Sequence, residues 1–164
     1  MHPHLFQHYK IKLKELSSNQ KIEIDKITNI STKENFFSYP ATNNKGKLYL
    51  VKYKGKIIYV GITSQPIIKR LKNGLNPNEK YGYHGYAWRK LKNIDLFLWC
   101  NYGKDKDKSD EIKKMETIEA EIVFFIRSTD NEWPQYQTEI HFHKATEEQK
   151  IMAKAIYTIA KKKK

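Results

Sequence analysis

The pattern of apolar and polar positions is clearest from Gly46 onward. Lys47-Leu48-Tyr49-Leu50-Val51-Lys52-Tyr53 and Lys56-Ile57-Ile58-Tyr59-Val60-Gly61-Ile62 are rich in β-branched and aromatic residues, and Lys54-Gly55 lies between them. Two such runs around a short glycine-containing turn predict a β-hairpin. Pro66 then suits the first turn of a helix, with Ile67, Ile68, Leu71 and Leu75 at helical spacing and Gly74 marking the end region. A polar loop over Asn76 to Gly82, a second short helix over Tyr86 to Leu91 and a third strand over Asp95 to Tyr102 follow. After a charged loop from Gly103 to Asp110 comes the longest helical segment, Glu111 to Ser128. Its stripe of Met115, Ile118, Ile122 and Phe125 recurs at i, i+3, i+7 and i+10.

The two ends carry weaker signals. His8 to Leu16 reads as a short basic helix, and Asn29 to Asn44, rich in Asn, Ser and Thr, as a loop with local turns. Asn131 to Gln135 breaks the long helix, and Thr138 to His143 alternates like a short strand. Thr146-Glu147-Glu148 resembles the start of a helix running to Ala160, and Lys161 to Lys164 form a basic tail. No internal repeat is visible. The hairpin excludes a simple doubly wound parallel sheet. The expected class is α/β of the α+β kind: a small three-stranded, mainly antiparallel sheet flanked by helices. Residues 1–45 read as a lead-in arm, 46–128 as the core, and 129–164 as an extension with a helix and a basic tail.

Composition narrows the partners. A chain of 164 residues fits one domain, and 39% hydrophobic and 13% aromatic content is enough for a packed core. Lys and Arg number 31 against 18 Asp and Glu, a formal charge of +13, which attracts polyanions: nucleic acid first, an anionic membrane surface second. The single cysteine, Cys100, excludes an intramolecular disulfide and a cysteine metal motif. Its setting, Leu96-Phe97-Leu98-Trp99-Cys100, predicts a buried thiol in a reducing compartment. No apolar run is long enough for a membrane span and the first residues lack a signal-peptide core, so the chain is expected to be soluble and cytoplasmic.

The chemistry gathers on the hairpin. With the turn at Lys54-Gly55, Tyr49 and Tyr59 are near cross-strand neighbours, and Arg70 follows on the next helix; register decides which of them meet. Two phenols and a guanidinium on one spot suit phosphodiester cleavage. Arginine offers a permanent charge in a fork that matches phosphate oxygens and can stabilise charge growing in the transition state. A tyrosine hydroxyl can orient a water and, if its pKa is lowered, accept its proton.

Leu48-Tyr49-Leu50, Tyr59-Val60-Gly61 and the helical Lys69-Arg70 resemble the motifs of the GIY-YIG nuclease superfamily, over residues 46 to 128. The resemblance implies a three-stranded antiparallel sheet flanked by helices and metal-dependent hydrolysis of DNA. It implies catalytic roles for Tyr49, Tyr59 and Arg70, with Gly61 as the motif glycine. Lys47 stands where the first motif usually opens on glycine, with Gly46 just before it, and Val60 stands where the second usually has isoleucine. The implied Mg²⁺ or Mn²⁺ is held by a glutamate on a later helix after an apolar residue. Ile118-Glu119 matches this best, and Glu121 is the alternate. Glu119 neighbours Met115, Ile122 and Val123 on the helix, whereas Glu121 neighbours Thr117, Phe124 and Phe125.

His84 falls where several family members carry a histidine; it could shuttle a proton with Tyr49, contact phosphate, or be a surface loop residue. Arg89 and Lys90 are placed to touch a DNA backbone, and Lys45, Lys52, Lys54, Lys56, Lys69 and Lys72 surround the proposed centre. Glu139, His141 and His143 would share one face of a strand, as a polar hydrogen-bonded set or a His-x-His chelate. Trp133-Pro134-Gln135-Tyr136-Gln137 would wall a DNA cleft. The expected function is a metal-dependent DNA endonuclease, in which a tyrosine activates the water. The alternative is a non-catalytic DNA- or RNA-binding module of the same fold, with RNA the less expected partner. A basic interaction or membrane-surface protein has no use for the Tyr, Gly and Arg arrangement. The oligomeric state is left open, a homo-oligomer included.

Overall fold

Tyr9, Ile11 and Leu13 alternate with Lys10, Lys12 and Lys14, and this period of two makes the N-terminal segment a strand. The computed structural model describes residues 6–17, 20–78, 85–100 and 108–163. In it β1 (Phe6–Glu15) buries the three apolar side chains and exposes the three lysines. The helix expected over His8 to Leu16 is therefore corrected: on a helix those apolar residues would spread around the axis, whereas on a strand they share one buried face. β2 (Ile22–Asn29) pairs antiparallel with β1, and turns and bends occupy residues 30–45 as the Asn, Ser and Thr content predicts.

The hairpin forms as expected from β3 (Lys47–Tyr53) and β4 (Lys56–Thr63). Lys54 and Gly55 take φ values of 48° and 82°, the left-handed pair of a two-residue hairpin turn. β5 (Asn93–Cys100) lies between β1 and β3 and is antiparallel to both. Among the described residues the sheet has five strands in the order β2-β1-β5-β3-β4, not three, because the supposed lead-in arm supplies two of them.

Helices cover both faces of β5, which explains its almost unbroken apolar run. Leu96, Leu98 and Cys100 belong to one core with Ile67, Leu71 and Leu75 of α1 (Ile67–Leu75). Phe97 and Trp99 belong to the other, with Ile118, Ile122 and Val123 of α2 (Lys108–Asp130) and Ala153 and Ile156 of α3 (Glu147–Lys162). Cys100 is buried, as its setting predicts. The short helix expected over Tyr86 to Leu91 is a 3-10 turn, Ala87–Lys90. Thr146 and Gln149 close a capping box at the start of α3. Among the described residues no helix is long and apolar enough to cross a membrane.

Two lysines expected near a phosphate backbone do other work. Lys52 is buried, and its Nζ donates to the carbonyls of Ala160 at 2.8 Å and Lys163 at 2.7 Å, closing the C-terminal end of α3. Lys56 pairs with Glu132 at 2.7 Å on the surface. The strand expected over Thr138 to His143 does not form. The edge of β4 accepts one backbone bond there, from Tyr136 N to Ile58 O at 2.9 Å. The side chain of Gln137 then takes the next position, accepting from Val60 N at 2.9 Å, so no ladder continues.

Candidate active site

The hairpin register decides how its tyrosines meet. Tyr49 lies opposite Gly61 and Val51 opposite Tyr59, after which Lys52 lies opposite Ile57, leaving Ile58 as the extra residue of a bulge. The bulge turns both Ile58 and Tyr59 toward the α1 side of the sheet, where Tyr49 and Val51 also point. The two tyrosine rings approach diagonally, 6.0 Å apart between centroids. Gly61 gives them room: a methyl group there would lie 2.7 Å from both rings. Gly61→Ala should therefore push both tyrosines off position and destabilise the fold by about 1–3 kcal/mol, measured by urea denaturation. An unchanged midpoint would show that the rings yield without cost.

Arg70 projects from α1 onto this pair. Its Nε donates to Tyr49 Oη at 3.3 Å, and its guanidinium carbon lies 5.5 Å from the centre of the Tyr86 ring. Tyr86 was missed as a site residue. Its hydroxyl hydrogen-bonds that of Tyr49 at 2.8 Å, and its ring stacks on buried Trp88 at 4.4 Å. Glycine again makes the space, since a side chain at Gly74 would run into the Tyr86 ring, and Tyr86 N donates to Gly74 O at 2.7 Å. The signal available in the sequence was the pair Gly74 and Gly85-Tyr86; Gly85 has a φ of 74°.

Neither motif tyrosine is set up as a phenolate. Burial first, and then the neighbouring phenol, pushes Tyr49 well above its ordinary range, with Arg70 opposing. Tyr59 is raised as well, again chiefly by burial. Lys47, at the altered motif position, is buried and donates from Nζ to the carbonyls of Asn43 at 2.6 Å, Lys45 at 2.7 Å and Gln65 at 3.2 Å. It ties the loop before β3 to the residues before α1.

Tyr59, Arg70 and Tyr86 line a cleft of about 700 Å³ whose far wall includes Glu116, Glu119 and His141. Glu119 is buried, and burial raises its carboxyl to about 8; Glu116 and Glu139 add to the rise, while the Gln137 hydrogen bond and Arg70 oppose it. Gln137 donates from Nε2 to Glu119 Oε1 at 3.5 Å and to Glu139 O at 2.9 Å, so one buried amide joins the β4 edge to the Glu119 carboxyl. Glu121 does not line the cleft, and its charge acts on Lys150 of α3.

The remaining expected residues divide. Arg89 and Lys90 line the cleft, as do Tyr136 and Gln137; Lys69 and Lys72 are exposed on α1 outside its wall. Trp133 instead donates its indole N–H to Gln137 O at 3.0 Å. His84 lies outside the described residues. His141 and His143 are on irregular backbone, both beside Glu116: His143 Nε2 is 2.8 Å from its Oε2, and His141 Nδ1 is 3.8 Å from its Oε1. Among the described residues no group of three or more His, Cys, Asp or Glu side chains is placed to hold a metal ion. No family model, curated protein or solved structure matches this chain.

Proposed function

We propose that the chain is an endonuclease that hydrolyses DNA phosphodiester bonds with Mg²⁺ or Mn²⁺. The observation that carries this reading is that the motif pair Tyr59 and Arg70 lines one cleft together with the buried Glu119. The strands β5-β3-β4 with α1 and α2 correspond to the arrangement that the GIY-YIG resemblance implies. On this reading β1, β2 and α3 are additions to it.

The residues fit a hard divalent cation. Glu119 is a buried carboxyl that burial holds toward its neutral form, and a bound cation would favour its ionised form. Mg²⁺ keeps several waters, so one protein carboxylate is a sufficient donor set. When bound, the metal would polarise the scissile phosphate. Arg70 offers its fork to the phosphate oxygens, and Tyr49 and Tyr86 hold that fork in place. Tyr59 and Tyr86, as neutral hydroxyls, donate hydrogen bonds to phosphate or orient the water. Arg89 and Lys90 would meet backbone phosphates from the cleft edge, and Lys69 and Lys72 from α1.

Incubation with supercoiled plasmid and Mg²⁺ or Mn²⁺ tests this reading: nicked or linear product should form, and EDTA should stop it. A folded sample that cuts none of several DNA substrates with either metal overturns it. Salt-dependent DNA binding that Arg70→Ala leaves unchanged would then favour the binding module.

A further inference from the structure

The nuclease reading requires a group that accepts the proton of the attacking water. Tyr59 and Tyr49 are raised by burial, so neither phenol takes a proton near neutrality. Arg70, Arg89 and Lys90 are cations, and Glu119 is given to the metal. His141 is the imidazole that lines the cleft among the described residues, and imidazole is the side chain whose ordinary titration lies near neutral pH.

We propose that His141 accepts the proton of the attacking water and that Glu116 positions it. The inference rests on the nuclease reading. Its basis is an imidazole in the cleft with a carboxylate near each ring nitrogen, Glu116 acting through charge rather than a formed hydrogen bond. Glu116 on α2 stands between two histidines: His143 Nε2 holds its Oε2 at 2.8 Å, and His141 Nδ1 faces its Oε1 at 3.8 Å. The tautomer that donates Nδ1–H toward Glu116 leaves the Nε2 lone pair for the water. Exposed Glu139 has Oε1 3.4 Å from Nε2 and swings aside when a water takes that place. The charged groups beside the ring are Glu116 from α2 and Glu139 from its own segment, and Glu119, Arg70, Arg89 and Lys90 line the same cleft. This assignment absorbs the Glu139-x-His141-x-His143 pattern, for which the motif residues have no use.

In the step, a lone pair of the water oxygen forms the new bond to phosphorus and the water proton passes to His141 Nε2. The bond from phosphorus to the leaving deoxyribose oxygen breaks with its electron pair on that oxygen. The leaving oxygen takes a proton from solvent, and the imidazolium returns its own to solvent.

The test is the pH profile of plasmid cleavage at saturating Mg²⁺ or Mn²⁺, with the melting temperature of each variant measured alongside. His141→Gln should lower the rate near neutrality by about 10²–10³-fold and remove the rise on the acid side of the profile. Added imidazole should restore part of the activity of His141→Ala, and Glu116→Gln should shift the profile while retaining DNA binding. A His141→Gln enzyme that keeps the wild-type rate and acid limb overturns the assignment. So does loss of that limb in His84→Gln with its retention in His141→Gln. A wild-type chain that cuts no DNA overturns the nuclease reading together with this one, whereas cutting that is indifferent to His141 overturns this one alone.

Discussion

Arg70→Ala should lower metal-dependent cleavage by about 10²–10³-fold, the effect of removing a preorganised donor from a charge-stabilising site. The guanidinium is held before substrate arrives, by the bond from Nε to Tyr49 and by its place over the Tyr86 ring. Such a group needs little reorganisation when phosphate charge grows. Arg70→Lys should recover little of the loss, because an ammonium has neither the fork nor the planar face that Tyr86 supports. Arg70 is only partly buried, so the melting temperature of both variants should stay near that of the wild type. Single-turnover rates at saturating metal decide the matter: a near wild-type rate for Arg70→Ala would remove arginine from the mechanism.

Glu119→Gln should abolish metal-dependent cleavage and yet stabilise the metal-free protein. The folded-state carboxyl is raised from 4.5 to about 8, so between these values the folded chain keeps a proton that the unfolded chain has lost. Stability from this group is therefore complete below about pH 4.5 and is lost as pH rises through about 8. Glutamine carries no charge and removes that slope. At pH 9 the variant should exceed the wild type by about 2–4 kcal/mol in urea denaturation, since a tenfold difference in proton affinity corresponds to about 1.4 kcal/mol. Mg²⁺ or Mn²⁺ should raise the melting temperature of the wild type and leave that of the variant unmoved. Glu121→Gln, outside the cleft, should change neither. Full activity in Glu119→Gln with loss in Glu121→Gln would reverse the assignment.

What the sequence made legible is what local physics decides. The hairpin from Lys47 to Ile62 and the helix after Pro66 follow from β-branched runs, a turn pair and helical spacing, each readable within a dozen residues. The β1 segment reads as helix because lysine and leucine favour helix by propensity, and here packing of Tyr9, Ile11 and Leu13 against α1-side residues overrides it. The bulge at Ile58 depends on pairing that no single strand displays, so the sequence makes the tyrosines near cross-strand neighbours but leaves open the register that sets them diagonally over Gly61. Tyr86 enters the site only because Gly74 makes room for its ring. Thr138 to His143 does alternate, but its place on the β4 edge is taken by the Gln137 side chain, a competition visible only in three dimensions.

The strand order has a consequence for a chain still being made. β1 with β2 and β3 with β4 are two local hairpins, and β5, the last strand among the described residues, is the keystone that joins them. An emerging polypeptide thus carries two separate half-sheets until its hundredth residue is free, and it carries Tyr49, Tyr59 and Arg70 well before the wall that holds Glu119 and His141. Any chemistry of this cleft is withheld until residues 116–141 have emerged as well, because they supply its other lining.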